Sequence, residues 1–357
     1  MSTLHRYFAR QVYGAVLFVL VGFLALFAFF DVVNELKDLG RGNYGLREVF
    51  LYVLLSLPTH AYELFPIVVL IGTLYVLSHL ASNSEYTVMR ASGLSPARTA
   101  GSLARLGLVF FLATFIIGEW VAPRAEEAAQ KVRLRAMSSL IGDQMSSGLW
   151  FKDERSFINV REARQANRLE GVRIYDFDAR ERLRSATAAA QAEYKGDGVW
   201  HLTEVAQTRF SEEGPRVSRY KSLEWRSAVS PDLLDALLVK PERMSTWALY
   251  KYTRHLADNR QKTERYEIAI WKKLFYPLAT FVMMALALPF AYMHVRAGMV
   301  GVKVFLGIML GILFHMLNSL FSHIGLLQNW PPVAAAALPS AAFFLMALTL
   351  MWWVERR

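Results

Sequence analysis

The chain has no cysteine among its 357 residues. Disulfides, thiol nucleophiles and cysteine-ligated metals are therefore excluded, and any soluble part must fold on its own core. It also lacks a G-x-x-x-x-G-K-[ST] loop, so it carries no nucleotide-binding engine of that type. H-E-x-x-H and G-x-S-x-G are missing as well, which removes the common signatures of zinc proteases and serine hydrolases. No segment repeats at a period of roughly 20–50 residues, and none is of low complexity.

What the chain has in excess is apolar length. Residues 11–33, 61–82, 101–121, 268–293, 300–326 and 332–354 are apolar runs. Each is long enough, at about 20 residues, to cross a bilayer as a helix. Hydrophobic residues make up 54% of the chain and the mean hydropathy is +0.24, too apolar for one soluble domain of this length. The net charge is +10 and the pI about 9.7. In a soluble protein this would suggest nucleic acid. In a membrane protein a surplus of Lys and Arg anchors loops at anionic lipid, so no nucleic-acid partner is expected. The first run ends in Phe29, Phe30 and Asp31 with no A-x-A site after it, unlike a signal peptide.

The short loops give an orientation. Arg6 and Arg10, Arg90, Arg98 and Arg105, Arg296 and Lys303, and Arg356 and Arg357 fall on one side if there are six spans. The opposite short loops are nearly balanced. The positive-inside rule then places both termini in the cytoplasm and the long polar block, residues 124–265, outside. In a bacterium that is the periplasm. Residues 149–151, 157–160, 172–177, 199–205 and 222–225 are short strand-like runs, with a turn at Gly196-Asp197-Gly198. Such spacing suggests a sandwich or jelly roll. The flanks, 125–137 and 245–259, read as helices. The expected organisation is an N-terminal membrane half (1–136), a β domain (137–244) and a C-terminal membrane half (245–357).

Local signals are sparser. Ser82 and Glu85 have S-x-x-E capping-box spacing and Gly93 suits a C-cap, so a short helix is specified near 83–93. Two readings stand. One is a capped connector; the other is a coupling helix that presents Glu85, Tyr86, Met89 and Arg90 to a cytosolic motor protein. His315 and His323 flank Asn318 in the fifth run, with no carboxylate near in sequence to complete a metal site; hydrogen-bonded polar groups facing the bundle or a wet cavity account for them. Glu63 and Glu119 are costly in lipid and should face protein or water. Pro58, Pro66, Pro277 and Pro289 are expected to break the second and fourth spans.

Several segments carry a family resemblance. Ile117-Gly118-Glu119-Trp120-Val121-Ala122-Pro123 resembles the G-E-W-V-A-P stretch of the LptF/LptG lipopolysaccharide-export permeases, on the G-type side. Ser84-Glu85 through Met89-Arg90-Ala91-Ser92-Gly93, Gly148-Leu149-Trp150 with Lys152-Asp153, and Arg265-Tyr266-Glu267-Ile268 followed by Trp271, Lys273 and Pro277 agree too. So do Pro331-Pro332 and Leu338-Pro339-Ser340.

The resemblance implies six membrane helices (3 + 3) with an inserted periplasmic all-β jelly-roll domain, in the bacterial inner membrane. It implies a permease without enzymatic activity of its own. Partners would be an F-type sister subunit, a cytosolic LptB-like ATPase dimer that binds ATP and Mg, and jelly-roll proteins of the LptC-like and LptA-like kind. The cargo would be lipopolysaccharide. The chain itself would hold no cofactor and no metal. The F-type sister, or a mechanotransmitting permease of another envelope ABC system, remains as the alternative. A lipid with acyl chains and phosphates needs an apolar cavity with cations at its mouth. Phe65, Phe314, Leu317 and Phe321 are expected in the cavity, and Lys37, Arg133 and Arg135 at the phosphates. Anchoring at headgroup level is the alternative role for those cations. Leu149, Phe151, Ile158, Ile174 and Trp200 are expected inside the jelly roll. One departure weakens a fixed phosphate clamp: family members often place Lys where this chain has Asp31 and Thr59.

Overall fold

A computed structural model describes residues 3–83, 85, 88, 96–144, 149–153, 155–165, 167–178, 180, 182–211, 214–227, 231, 240–289 and 300–356. The first apolar run forms α1 (Thr3–Glu35), closed by a 3-10 turn at Leu36–Asp38. Next come α2 (Leu46–Ser82) and α3 (Pro96–Ile116). A π-helical turn at Ile117–Val121 leads from α3 without a break into α4 (Ala122–Gln144). After the strands come α5 (Thr246–Asp258), α6 (Glu264–Ala287), α7 (Val300–Leu327) and α8 (Pro332–Glu355). Among the described residues, six helical stretches are long and apolar enough to cross a membrane: 6–38, 46–82, 101–137, 264–287, 300–327 and 332–354.

The second span is longer than its apolar run. It starts at Leu46, where Glu48 accepts the Gly45 N–H at 3.0 Å and so caps the first turn. Pro58 and Pro66 do not break it, and Pro277 lies inside α6. Neighbouring side chains can take up backbone groups that a proline frees. Near Pro66, the Tyr276 hydroxyl from α6 donates to the Glu63 carbonyl.

α2 is the central helix and packs against α1, α4, α6 and α7. The main core gathers there, with Val68, Leu70, Leu74, Leu77, Leu106, Met283 and Phe314 all buried. Small residues allow the closest approaches. A Cβ on Gly72 would come within 2.7 Å of Val16, and one on Gly311 within 2.7 Å of Ile67. α1 and α7, by contrast, turn rows of large apolar side chains outward, among them Phe18, Phe29, Phe305, Met316 and Leu320. Such faces suit lipid or another membrane chain.

The β domain has strands β1 (Leu149–Asp153), β2 (Ser156–Gln165), β3 (Arg168–Phe177), β4 (Leu183–Gly196), β5 (Val199–Ser211) and β6 (Gly214–Arg226). They form one antiparallel sheet in the order β1 to β6, each strand paired with its chain neighbour. Among the described strands this is a meander, without the crossed connections of a jelly roll. Its own core holds Ile158, Val160, Leu169, Val172, Ile174, Trp200, Leu202 and Val205. Trp200 is fully buried between Tyr194 and Trp225. Of the expected interior residues, Ile158, Ile174 and Trp200 are buried and Phe151 packs partly against them. Leu149 pairs with Val160 in register. β6 forms one edge of the sheet and is exposed along most of its length.

Candidate functional site where the spans meet the β domain

Three polar clusters lie around α4 on the side from which it continues toward the β domain. The first is at the end of α1. Arg133 on α4 donates to Asp38 at 2.5 Å and stands 3.4 Å from Glu35. Tyr44 is buried, and its hydroxyl donates to Glu35 at 2.7 Å. Burial, with the Glu35 carboxylate beside it, pushes the Tyr44 phenol above its ordinary range. Lys37 is exposed and donates to Asn34 at 3.1 Å.

The structure thus brings Lys37 and Arg133 to one corner but gives them different roles. Two carboxylates already match the charge of Arg133, so a phosphate there would have to displace Asp38. Among the described residues no carboxylate pairs with Lys37. Arg135 is exposed on the same helix.

The second cluster runs from α1 to the segment that returns from the β domain. His60 Nε2 lies 2.6 Å from Asp31 Oδ2, and its Nδ1 is 4.0 Å from Glu63. Arg243, in a 3-10 turn at Pro241–Arg243, donates to Glu126 at 3.0 Å and stands 3.6 Å from Glu63. Glu126 is buried and also accepts from Thr59 at 3.2 Å. Burial works against the Arg243 charge, but Glu126 and Glu63 outweigh it and raise the guanidinium above its ordinary value. Asp31 and Thr59 are therefore each tied to a named partner. Along this face the carboxylates outnumber the guanidinium groups, so it is not a ready anion cradle. Among the described residues no group of three His, Asp or Glu side chains is placed to hold a metal ion.

The third cluster centres on the π turn. Gly118 is buried there, and a Cβ on it would come within 2.3 Å of the Tyr62 ring. Glu119 accepts two hydrogen bonds from Thr246, at 3.1 Å from its N–H and 2.7 Å from its hydroxyl. Thr246 is the first residue of α5, so the carboxylate also meets the positive end of a helix dipole. Ser245 caps the same helix by accepting from Ala248 N–H at 3.1 Å. Lys273 on α6 donates to the Met244 carbonyl. A pocket of about 550 Å³ opens beside these groups, lined by Tyr62, Phe115, Trp247, Tyr250, Leu274 and Pro277 among others.

The remaining expected site residues are placed as follows. Phe65 and Phe314 are core residues, with ring contacts to Phe110 and Phe343 respectively. Both are buried within this one chain. Leu317 packs partly against the core, and Phe321 contacts Trp330 at 6.2 Å. Glu85 accepts the Tyr7 hydroxyl at 3.0 Å. Ser82 is the last residue of α2, and its hydroxyl donates back to the His79 carbonyl at 2.9 Å. The expected capping box gives way to these two bonds. Tyr86, Met89, Arg90 and Gly93 lie outside the described residues.

Thr246, Arg243 and Glu126 stand out only in the structure. Their signal was weak: a Ser-Thr pair opening a helix, and a carboxylate seven residues beyond Glu119 on a continuing helix.

The G-E-W-V-A-P segment therefore forms a defined joint. The family model "Lipopolysaccharide export system permease LptF/LptG" matches residues 6–353. The chain belongs to the LptF/LptG family. The permease named "Lipopolysaccharide export system permease protein LptG" from Escherichia coli (strain K12) is 34% identical over 354 residues, covering 98% of both chains. The protein of the same name from Haemophilus influenzae (strain ATCC 51907 / DSM 11121 / KW20 / Rd) is 30% identical over 358 residues, covering 100% of this chain and 99% of its own. Membership makes this chain a permease of the lipopolysaccharide export system, a transport protein rather than an enzyme, with a multi-pass membrane part.

Proposed function

We propose that this chain is the G-type subunit of the exporter, and that it moves lipopolysaccharide from the inner membrane toward a periplasmic bridge. The observation that carries this reading is the full-length match to proteins named LptG. In this reading the chain pairs with an F-type sister, rests on a cytosolic ATPase dimer that supplies ATP and Mg chemistry, and meets further jelly-roll proteins in the periplasm. Both termini are cytoplasmic and the β domain is periplasmic. The arginines of the short loops support this orientation. The halves divide 3 + 3 around residues 137–244, and the meander stands in the place of the jelly roll that the resemblance implies.

The geometry supports a modified lipid path. Phe65 and Phe314 pack the bundle, so the acyl chains meet outward-facing side chains of α1 and α7 instead. Phe18, Met316 and Leu320 are exposed there, with Leu317 and Phe321 at the margin. Lys37, exposed at the end of α1, is the best-placed phosphate contact. Arg133 holds the corner in shape. Glu85 stays in the coupling reading, bonded to the N-terminal part of α1. The β6 edge offers backbone groups to a neighbouring strand.

The test is co-expression with an F-type chain and the ATPase, followed by reconstitution into vesicles containing lipopolysaccharide. ATP-dependent delivery to a soluble jelly-roll acceptor is expected, and a photo-crosslinker at Ile174 should capture the lipid only with ATP. A stable complex that hydrolyses ATP but never delivers lipid would sink the proposal. Adducts confined to the sister's β domain would make this one a scaffold.

A further inference from the structure

We infer that the Glu119–Thr246 clasp is the positioning joint through which the third span sets the placement of the β domain, and that lipid delivery depends on it. The inference rests on the reading that a partner's ATP hydrolysis drives lipid through this chain. It goes beyond that reading by assigning a mechanical role to particular residues.

Three observations converge. First, α3, the π turn and α4 form one continuous helical rod from Pro96 to Gln144. One end begins at Pro96, C-terminal to Glu85 in the chain, and the other leads toward β1. A movement at the first end is carried along the rod. A π turn inserts one extra residue into a helical turn and frequently marks a functional site. Here it presents Glu119, and it can form only because Gly118 leaves room for the Tyr62 ring.

Second, the chain returns from the β domain through residues 241–246, and this short segment is bonded to three helices. Arg243 reaches Glu63 on α2 and Glu126 on α4. The Met244 carbonyl accepts from Lys273 on α6. Thr246 gives Glu119 both its N–H and its hydroxyl. The outgoing and returning connections of the β domain are thereby tied together at the membrane boundary.

Third, a pocket of about 550 Å³ lies against the same segment. Close packing does not enclose the segment on that side, so directional polar bonds must hold its position. Hydrogen bonds to a charged carboxylate are the stronger kind, and their geometry is specific. Glu119 is thus a positioning residue. It touches no cargo in this scheme.

The experiment uses the whole complex. Glu119→Ala, Glu119→Gln and Thr246→Val are compared with the native chain for ATP hydrolysis and for lipid delivery. In Glu119→Ala, delivery is expected to fall about tenfold, the loss of roughly one charge-assisted hydrogen bond, while hydrolysis stays within about twofold. Glu119→Gln keeps an accepting oxygen and should restore most of the delivery. Thr246→Val keeps the N–H bond and should fall between the two.

A second readout does not depend on transport. Because the chain has no cysteine, spin labels at Arg209→Cys on β5 and Leu327→Cys at the end of α7 report the placement of the domain alone. The distance distribution should broaden in Glu119→Ala and stay narrow in Glu119→Gln. The inference is overturned if delivery and hydrolysis fall in equal proportion, if all variants match the native chain, or if the distribution stays narrow in Glu119→Ala. A native complex that never delivers lipid, with the broadening still present in Glu119→Ala, would refute the transport reading and leave the joint standing.

Discussion

Charge at single residues separates structural cations from available ones. Arg133 is committed to Glu35 and Asp38, and Glu35 is buried. Arg133→Ala should therefore leave a buried carboxylate short of its partner and cost roughly 2 kcal/mol in thermal stability of the purified complex. Lys37→Ala should stay within about 0.5 kcal/mol of the native stability and lower lipopolysaccharide crosslinking instead. Equal stability losses in the two variants would refute this division. Asp178 gives a pH test. It accepts from the Arg182 and Arg180 N–H groups and from the Arg182 side chain, which hold its carboxyl below the ordinary value of 3.8. A depressed folded value means that its contribution is present above pH 3.8 and is lost as pH falls through the folded value. Asp178→Asn should therefore reduce β-domain stability at neutral pH, and the gap to the native chain should close on acidification below that range. Acid titration followed by tryptophan fluorescence measures it; a gap that persists unchanged into strong acid would exclude the charge as its origin.

At the scale of the element, the π turn is the feature most sensitive to side-chain volume. Gly118→Ala would drive a methyl group to 2.3 Å from Tyr62. The expected cost is ~1–3 kcal/mol, as for other overpacked sites. Tyr62→Leu in the same chain should recover part of it, since the shorter side chain withdraws from the turn. A double variant no more stable than Gly118→Ala would show that the glycine serves the backbone and not the contact. The β4 strand carries a different lesson. Its run Ser185-Ala186-Thr187-Ala188-Ala189-Ala190 is poor in β-branched and aromatic residues, so propensity does not mark it. It is a strand because β3 and β5 flank it, and buried Ala189 and Ala192 lie in the same core as Trp200.

For the whole molecule, the expected orientation can be read by labelling. The absence of cysteine makes single-cysteine variants clean reporters. Arg209→Cys should react with an impermeant maleimide applied from the periplasmic side of intact cells. Arg356→Cys should react only after the inner membrane is opened. The reverse pattern would overturn the topology. The arrangement of exposed faces also has a consequence for assembly. α1 and α7 both pack on α2 and turn apolar rows outward, so a polar substitution such as Phe18→Asp should lower recovery of the heterodimer or its lipid occupancy more than it changes the fold of the β domain.

Much of this was legible in the sequence because it depends on chain-local chemistry. Uninterrupted apolar length determined that six helices could cross a bilayer, arginine placement determined the expected sidedness, and alternating runs marked five of the six strands. Those signals need no knowledge of what packs against them. The G-E-W-V-A-P segment could be singled out in the same way, but not its role. The structure decided what depends on contacts between distant residues. Phe65 and Phe314 became core because Phe110 of α3 and Phe343 of α8 pack against them, and one-dimensional periodicity cannot tell which neighbour covers a face. Arg133 was occupied because Asp38, distant in sequence, meets it. Pro58 and Pro66 stayed within a helix in a setting where neighbouring helices can take up freed backbone groups. Glu119 found Thr246 across the entire β domain, a contact set by the return path of the chain, which only the tertiary structure draws.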